Sequence, residues 1–248
     1  MKVAIIIPCY NEADRLDANN STEYLLQNAH VHFYFIDDGS TDNTISIING
    51  IMSKFNSHVT LLKNESNKGK AESVRLGVIE SFSMNPDFIG YLDADLAAPL
   101  TEIRRFIHKF KSNNELKAVC GSRILRLGSS IRRSVFRHYF GRIFATIVSN
   151  ILNIPVYDTQ CGAKIFLAEF AEFIFSEKFL SRWFFDVELF ARSIEHVGRQ
   201  NTVNGVLELP LSQWHDKGQS KVTWANVLQT PLELLRIYIF YRNRIAKA

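Results

Sequence analysis

The chain has 248 residues, of which 46% are hydrophobic and 22% charged, and its formal net charge is +4. These values are ordinary for a globular protein, and neither the charge nor the pI of 8.9 indicates a nucleic-acid-binding protein. No stretch contains the roughly 18 consecutive apolar residues of a membrane-spanning helix, and the apolar run at the N-terminus is interrupted at Pro8.

The three cysteines, Cys9, Cys120 and Cys161, lie far apart in the sequence and form no CxxC pair. An odd number of separated cysteines argues against a disulfide framework and against a zinc site. It favours a reducing compartment, so we expect a cytoplasmic protein.

Short apolar runs alternate with helical patterns in the first half of the chain. The predicted strands are residues 2–7, 32–38, 58–64, 88–95 and 116–122, and the predicted helices are residues 44–55, 70–82 and 101–110. Alternating strands and helices predict an α/β protein with a mostly parallel sheet covered by helices on both faces. Ligands of such sheets bind at the carboxyl ends of the strands. Polar side chains follow four of these ends: Asn11 and Glu12, Asp37 and Asp38, Asp93 and Asp95, and Ser122 and Arg123.

The second half of the chain has a different pattern, in which apolar and basic residues predominate. Apolar residues at helical spacing predict a helix over 131–152 and a C-terminal helix from about Trp224 to Arg244. A strand is predicted over 202–211, followed by a polar loop over 212–222. Residues 116–157 contain no Asp or Glu, but they contain Lys117, Arg123, Arg126, Arg132, Arg133, Arg137 and Arg142.

The two basic amphipathic helices allow two interpretations. They could lie in the interface of an anionic membrane, or their apolar stripes could simply pack on the sheet. The acid-free arginine cluster favours phosphate binding, because a guanidinium group forms bidentate hydrogen bonds with phosphate.

The sequence YLDAD brings two carboxylates to the end of the predicted fourth strand. Alternation along a strand places Asp93 and Asp95 on the same side, where they repel each other unless a cation lies between them. Carboxylate oxygens suit Mg²⁺ or Mn²⁺, and Mg²⁺ typically takes one or two carboxylates together with substrate phosphates. The alternative is a turn in which Asp95 caps the helix that follows Pro99.

Two further loops carry polar residues with more than one interpretation. In IDDGSTDNT, the two acids after the second strand could accept hydrogen bonds from a nucleobase or ribose, or the segment could be a turn with a helix cap at Ser40 or Asp42. In NKGKAESVRLG, Gly69 and Lys70 open a helix, which suits a phosphate contact or simply a solvated helix start.

Four motifs, IIIPCYNE, IDDGSTDNT, NKGKAESVRLG and YLDAD, occur in this order, one for each βα unit. Together they resemble the inverting family 2 glycosyltransferases, which have the Rossmann-like GT-A fold. In the second half, GSR at 121–123, DTQCGAKIF at 158–166, RWFFDVEL at 182–189 and SK at 220–221 resemble the dolichyl-phosphate β-glucosyltransferase branch. The resemblance covers nearly the whole chain.

The resemblance implies a nucleotide-diphospho-sugar donor, UDP-glucose, a divalent cation, Mg²⁺ or Mn²⁺, and a polyprenyl phosphate acceptor, dolichyl or undecaprenyl phosphate. The implied nucleotide-sugar pocket comprises Pro8, Tyr10, Asn11, Glu12, Asp37, Asp38, Lys70, Asp93 and Ala94. Asp93 and Asp95 would hold the metal, and Asp95 would also be catalytic.

We expect one domain over 1–248, with a nucleotide-sugar-binding half (1–123) and an acceptor-side half (124–248). We also expect peripheral contact with the cytoplasmic face of an anionic membrane, and no nucleic-acid partner.

The resemblance also places the catalytic acid of the second half at Asp186, in a D-x-[DE]-L-x-x-R pattern that continues with Glu188 and Arg192. The residue types alone predict Asp186 as the N-cap of a helix over 187–197, with Glu188 and Arg192 as an i,i+4 pair. A capping Asp is held rigidly, so the two interpretations are compatible. An alcohol acceptor would need Asp186 as a general base, whereas a phosphate acceptor is already ionised and needs orientation.

Four basic residues are candidates for binding the acceptor or a phosphate: Arg123, Arg133, Arg137 and Lys221. Arg123 leaves the fifth strand close to the D-x-D sequence, so we assign it to a phosphate at the active site. Two other functions remain open at this point. One is transfer to a saccharide hydroxyl in cell-surface polysaccharide synthesis, and the other is a catalytically silent nucleotide-sugar-binding protein.

Overall fold

The computed structural model describes residues 1–125, 127, 130–132, 135–215 and 224–246, and it gives the backbone alone for residues 132, 135–138, 140 and 224–229. The strands are β1 (Val3–Cys9), β2 (Val31–Asp37), β3 (Val59–Lys63), β4 (Phe88–Leu92), β5 (Ala118–Ser122), β6 (Ser130–Arg132), β7 (Ala163–Leu167), β8 (Val206–Pro210) and β9 (Gln213–His215). The helices are α1 (Ala18–Gln27), α2 (Thr44–Lys54), α3 (Lys70–Ser81), α4 (Thr101–Ser112), α5 (Val135–Leu152), α6 (Ala168–Ile174), α7 (Phe185–Val197), α8 (Arg199–Gly205) and α9 (Trp224–Ile245).

Among the described residues, seven strands form the main sheet in the order β3-β2-β1-β4-β7-β5-β8. β7 runs antiparallel to both of its neighbours, and the other pairs in this sheet are parallel. The carboxyl ends of β1, β2, β4 and β5 therefore meet at one edge, as the sequence predicts. β7 and β8 belong to the predicted acceptor-side half, yet they lie in the same sheet as the strands of the first half.

Alternation along the strands divides the core between the two faces of the sheet. In β1, Val3, Ile5 and Ile7 pack with α1, α2 and α4 on one face. Ala4 and Ile6 pack with α3, α6 and α7 on the other face. The predicted α/β fold, with a mostly parallel sheet and helices on both faces, is therefore confirmed.

A third cluster of buried side chains joins α5, α7 and α9 outside the second face of the sheet. Its buried members include Phe144 and Val148 on α5, Phe190 on α7, and Leu234 and Ile237 on α9. The inner faces of the two amphipathic helices thus pack on α7, and only their outer faces are exposed. No helix within the described ranges is both long enough and apolar enough to span a bilayer.

The structure corrects three expectations about the second half. The predicted strand over 202–211 begins only at Val206, because Thr202 bonds back to the Gly198 carbonyl through both its amide and its hydroxyl, which forms helix α8. The helix predicted from residue 131 begins at Val135, since residues 130–132 pair with β9 as strand β6. β9 lies inside the segment 212–222, for which the sequence predicts a polar loop.

Candidate active site

The loops that follow β1 and β2 are tied together at the carboxyl edge of the sheet. Asn11, which has a left-handed backbone (φ 48°), donates its amide to the Ser40 hydroxyl at 2.9 Å and accepts the Thr41 amide at 2.8 Å. Asp42 accepts the amides of Ala13 and Thr44 at 3.0 Å each. Asp42 thus ties the start of α2 to the loop that carries Tyr10, Asn11 and Glu12, while Pro8 lies at the end of β1. The N-cap of α2 is Asn43, which forms no side-chain cap bond, so the interpretation of Ser40 or Asp42 as the helix cap is wrong.

The carboxylate of Asp38 forms its hydrogen bonds with the loop that precedes α3. It accepts the amides of Lys68 and Gly69 at 2.8 Å each and the Asn64 side chain at 2.9 Å. Gly69 has a φ of 94°, so the carboxylate holds a left-handed turn directly before α3. The arrangement gives Asp38 a clear role in shaping the loop that presents Lys70.

Asp37 is less completely satisfied than its neighbour. One carboxylate oxygen accepts the Ser40 amide at 3.2 Å. The other, Oδ1, is buried and has no hydrogen-bond partner within the part of the chain that the structure describes. A buried polar atom without a partner is uncommon and costly, so the hydrogen bonds of Asp37 contribute less to holding these loops together than those of Asp38.

The D-x-D carboxylates lie in a turn directly after β4. Asp93 pairs with Lys70 at 2.5 Å, and its amide donates to the Gly162 carbonyl at 3.0 Å. Asp95 accepts the Ala97 amide at 3.0 Å and stands 3.9 Å from Arg15. The N-cap of α4 is Leu100 and has no side-chain cap, so the interpretation of Asp95 as a cap for the helix after Pro99 is wrong. Ala94 is buried between the two acids.

The electrostatics of this turn fit a divalent cation. Burial raises the pKa of Asp95, and the nearby charge of Asp93 raises it further. Two negatively charged carboxylates that repel each other provide hard oxygen ligands, which suit Mg²⁺ or Mn²⁺. No group of three or more acidic, His or Cys ligands occurs among the described residues, so substrate oxygens would have to complete the coordination.

Lys70 opens α3 and points to the D-x-D turn. Burial lowers the pKa of its ammonium group, but the charges of Asp93 and Asp186 more than offset this, and the net shift is upward. Lys70 therefore remains a cation at the edge of the sheet, where it faces carboxylates from both halves of the chain.

Asp186 lies in the first turn of α7, and its interpretation as the N-cap is wrong. The helix begins at Phe185, and the hydroxyl of Ser181 accepts the amide of the capping residue Phe184 at 2.9 Å. The buried carboxylate of Asp186 instead accepts hydrogen bonds from the Tyr91 hydroxyl and the Lys164 ammonium group through a single oxygen, Oδ1. Sequence reasoning found neither partner, although β4 and β7 pair so that Tyr91 is opposite Lys164.

Glu188 and Arg192 are joined through Tyr241 of α9, in contrast to the direct i,i+4 pair that the sequence predicts. The Tyr241 hydroxyl lies 3.0 Å from Arg192 Nε and 3.2 Å from Glu188 Oε2. Glu188 also accepts the amides of Leu180 and Ser181 at 3.0 and 2.8 Å. Burial raises the pKa of Glu188, and these amides oppose the shift. The pair therefore anchors the loop before α7 and the C-terminal helix.

The sequence profile of the family described as Glycosyl transferase family 2 matches residues 4–175. This chain belongs to glycosyl transferase family 2. The glycosyltransferase is 29% identical to a dolichyl-phosphate beta-glucosyltransferase of Trichomonas vaginalis, over 96% of this chain and 71% of that protein. The enzyme of the same name from Dictyostelium discoideum is 32% identical over 75% of this chain and 60% of its own length, and that from Homo sapiens is 31% identical over 76% and 61%.

Solved structures of glucosyl-3-phosphoglycerate synthase from Mycobacterium tuberculosis resemble the glycosyltransferase over nearly its whole length. The complex with Mn²⁺, UDP-glucose and phosphoglyceric acid gives a TM-score of 0.72 at 13% identity, over 96% of this chain and 79% of that chain. The UDP complex gives 0.71 at 14% identity, over 96% and 80%. The GT-A fold that the sequence motifs imply is therefore confirmed.

Of the four residues predicted to bind a phosphate or the acceptor, the structure describes the side chain of Arg123 alone. Arg123 forms a bidentate pair with Asp158, with Nε and one Nη each 2.7 Å from a carboxylate oxygen. Two of its donor groups are thus used inside the protein, so any phosphate would be held through the remaining ones. Arg133 and Lys221 lie outside the described residues, and for Arg137 only the backbone, within α5, is described.

An apolar groove of about 400 Å³ lies between α5 and α9 of the glycosyltransferase. It is lined by Ile143, Phe144, Ile147, Ile151, Thr230, Pro231, Leu234, Leu235 and Tyr238. Ile143 is 62% exposed and Leu235 52% exposed, although both are large hydrophobic side chains. Phe144 stacks on Phe184 with ring centroids 5.2 Å apart, so one wall of the groove touches the residue that caps α7.

Proposed function

We propose that this glycosyltransferase moves glucose from UDP-glucose to a polyprenyl phosphate, such as dolichyl or undecaprenyl phosphate, with Mg²⁺ or Mn²⁺. The observation that carries the proposal is the apolar groove between α5 and α9, whose lining residue Phe144 stacks on Phe184, two residues before Asp186. The groove suits an isoprenoid chain, and the carboxyl edge of the sheet suits the anionic end of such a lipid. Similarity to dolichyl-phosphate beta-glucosyltransferases over most of the chain supports the same acceptor.

The donor would bind along the loops after β1, β2 and β4, with its diphosphate near the D-x-D turn. Asp93 and Asp95 would hold the divalent cation, which when bound stabilises the negative charge of the departing nucleotide diphosphate. Lys70 adds a fixed positive charge beside Asp93. Asp38 supports this function indirectly, since it holds the turn before α3 from which Lys70 projects.

The acceptor would approach from the side of α7. Inversion requires an acceptor oxygen to attack the anomeric carbon in line with the leaving group. A phosphate monoester is largely ionised near neutral pH, so this reaction requires orientation more than it requires a base. We assign Asp186 to this side of the reaction centre for two reasons. It lies in the first turn of α7, and its negative charge helps to raise the pKa of Lys70, which pairs with Asp93.

We further propose that α5 and α9 rest on the cytoplasmic face of an anionic membrane. Both helices pack on α7 with one face, while Ile143, Ile147, Leu232, Leu235 and Ile239 expose large apolar side chains on the other. Arg236 lies beside the last three of these residues. Exposed apolar side chains next to arginine are typical of helices that bind in the headgroup region of anionic bilayers.

The test is a matrix of donors and acceptors, with the product identified by mass. The donors are UDP-glucose, UDP-galactose and GDP-mannose, and the acceptors are farnesyl phosphate, farnesol and a glucose disaccharide, each with Mg²⁺ or Mn²⁺. We expect a glucosyl phosphate ester of the isoprenoid with UDP-glucose and farnesyl phosphate. Transfer to the disaccharide alone would replace the proposal by transfer to a saccharide hydroxyl, and binding of donors without transfer to any acceptor would support a catalytically silent protein.

A further inference from the structure

Lys164 is a lysine buried within the sheet, and the proposed transfer reaction gives it no role. It lies on β7 and its side chain is 1% exposed. Its ammonium group donates to the carbonyls of Thr159 and Cys161 at 2.9 and 2.7 Å and to the carboxylate of Asp186. These three bonds use all the hydrogens of the ammonium group, so Lys164 is fully committed to this position.

Through these bonds Lys164 joins two segments that both approach the reaction centre. Residues 159–161 lead into Gly162, whose carbonyl accepts the Asp93 amide at 3.0 Å. Asp186 opens α7 on the other side. A single side chain thus sets the position of the loop against the D-x-D turn and the position of the Asp186 carboxylate.

Hydrogen-bond donors and cations surround the Asp186 carboxylate within the part of the chain that the structure describes. Lys164 from β7 and Tyr91 from β4 donate to it, Lys70 from α3 adds a second positive charge, and Cys120 from β5 is also nearby. Burial raises the pKa of Cys120 to about 12, so this thiol adds no charge near neutral pH. Burial likewise raises the pKa of Tyr91 well above its usual range, and the Asp186 charge adds to the shift, so the hydroxyl remains a donor.

The Lys164 ammonium group depends on Asp186 in turn. Burial lowers the pKa of Lys164, but the charge of Asp186 more than offsets this, and the net shift is upward. Because folding raises the pKa of Lys164, its ammonium group stabilises the folded protein at any pH below the pKa of an unfolded lysine. This stabilisation is lost only as the pH rises through the higher pKa of the folded state. The ion pair is therefore intact throughout the neutral range. If Asp186 took up a proton, a buried ammonium group would lose its counter-ion, which is strongly unfavourable.

We propose that Lys164 is a positioning residue that holds the Asp186 carboxylate in a buried ion pair, so that this site serves an acceptor that arrives ionised and does not deprotonate a hydroxyl. The inference rests on the proposed function and sharpens its acceptor to a phosphate monoester. The fixed negative charge of Asp186 would stabilise the positive charge that develops at the anomeric carbon during transfer. Asp186 would act by its charge, and no proton would move to it at any point in the reaction.

The first test measures pH profiles of kcat/KM with UDP-glucose and farnesyl phosphate for the wild type, Lys164→Met and Lys164→Arg. For the wild type we expect activity to rise with the second ionisation of the acceptor, at about pH 6, and then to stay level. In Lys164→Met, the buried Asp186 loses the ammonium group that donates to it directly and retains only the more distant charge of Lys70, so burial favours its protonated form more than in the wild type. Its activity should therefore be lost near neutral pH and recover at higher pH, which displaces the rising limb by about one pH unit or more. Lys164→Arg retains the charge and should keep the wild-type profile.

The second test needs no turnover. It compares thermal unfolding across the same pH range for Lys164→Met, Asp186→Asn and the double variant Lys164→Met/Asp186→Asn. In Lys164→Met the Asp186 carboxyl is buried without its ammonium partner, so its ionisation destabilises the folded protein as the pH rises. The melting temperature of Lys164→Met should therefore fall with rising pH relative to that of the double variant, which has no carboxyl at this position. The double variant carries neither charge and serves as the folding reference.

The outcomes separate this inference from the proposed function. A uniform loss of activity in Lys164→Met with no displaced limb, or pH-independent melting relative to the double variant, would overturn the role of Lys164 while leaving the proposed function intact. Wild-type transfer to farnesol in preference to farnesyl phosphate would overturn both. If the wild type transferred glucose to neither isoprenoid, the proposed function would fail, and the melting comparison alone would still decide whether Lys164 holds Asp186 ionised.

Discussion

Gly162 lies so close to Asp93 that there is no room for a side chain between them. A Cβ atom at Gly162 would overlap the carboxylate of Asp93, and the Gly162 carbonyl already accepts the Asp93 amide. The loop that enters β7 from the second half of the chain therefore fixes the orientation of a D-x-D carboxylate that belongs to the first half.

Replacing Gly162 by Ala should displace the Asp93 carboxylate and its pairing with Lys70. We expect transfer to fall by about tenfold or more, because donor orientation at the diphosphate is lost, while the protein still folds. Gly50→Ala is the matched control, since no atom lies within 4 Å of a Cβ at Gly50 in the interior of α2. It should stabilise the protein by about 0.5–1 kcal/mol and leave transfer unchanged. Full activity in Gly162→Ala would show that the contact is irrelevant.

Asp38→Asn should weaken the turn before α3, because the amide side chain replaces an acceptor that binds two backbone amides. Hydrogen bonds to charged groups are worth roughly 1.5–3 kcal/mol each, so we expect a clear fall in melting temperature and a higher KM for UDP-glucose. Glu65→Gln, an exposed acid in the preceding loop, should change neither quantity. Equal melting temperatures for both variants would argue against this role of Asp38.

Removal of divalent cations should abolish transfer. After dialysis against EDTA we expect no product, and added Mn²⁺ or Mg²⁺ should restore activity, because hard oxygen ligands bind these ions. Asp95→Asn should weaken the metal dependence of UDP binding measured by calorimetry, whereas Asp14→Asn, an exposed acid in the loop after β1, should not. Undiminished transfer in EDTA would refute a metal at the D-x-D turn.

The cysteines should be inert to thiol reagents in the folded protein. Cys9, Cys120 and Cys161 are all buried, and burial raises the pKa of both Cys120 and Cys161 to about 12. Since the thiolate is the reactive form, we expect no fast reaction with a chromogenic disulfide in the native state and three equivalents in guanidinium chloride. Rapid labelling of Cys161 before unfolding would indicate that the loop over the D-x-D turn opens.

The outer faces of α5 and α9 should bind anionic membranes. In a flotation assay the wild type should rise with phosphatidylglycerol vesicles, and Ile143→Glu/Leu235→Glu should remain at the bottom of the gradient. Leu26→Glu is the control, because Leu26 is 70% exposed on α1, in another part of the fold. A wild type that stays at the bottom with every vesicle composition would rule out the membrane-surface proposal.

The sequence predicted those parts of the fold and site that depend on local pattern. β1 and β2 consist mostly of apolar residues, and each is followed by the polar loop that the motifs locate. The sequence assigns Asp186 wrongly as an N-cap because capping rules consider only neighbours in the sequence, whereas the helix begins at Phe185 and turns the Asp186 carboxylate toward distant partners. One of its two partners, Tyr91, is 95 residues away, and no local rule can indicate it.

Lys164 shows a second reason for what sequence reasoning missed. A lysine in a run such as AKIFL suggests a strand with one solvated face, and the run is too short to stand out as buried. Only the pairing of β7 between β4 and β5 encloses it, and only Asp186 makes the enclosed charge tolerable. Arg123 is similar, because its partner Asp158 is supplied by a loop whose position depends on the same strand.

The antiparallel insertion of β7 also governs how the chain can be made. During synthesis β4 and β5 emerge first, and both lack their shared partner until the ribosome has delivered the chain as far as Leu167. The other edge of β5 stays unpaired until β8 has followed. Unpaired strand edges attract other chains, and pairing across such a sequence separation is intrinsically slow. A nascent chain or a truncated fragment that ends at residue 123 should therefore aggregate, and chaperone demand should peak just before β7 appears.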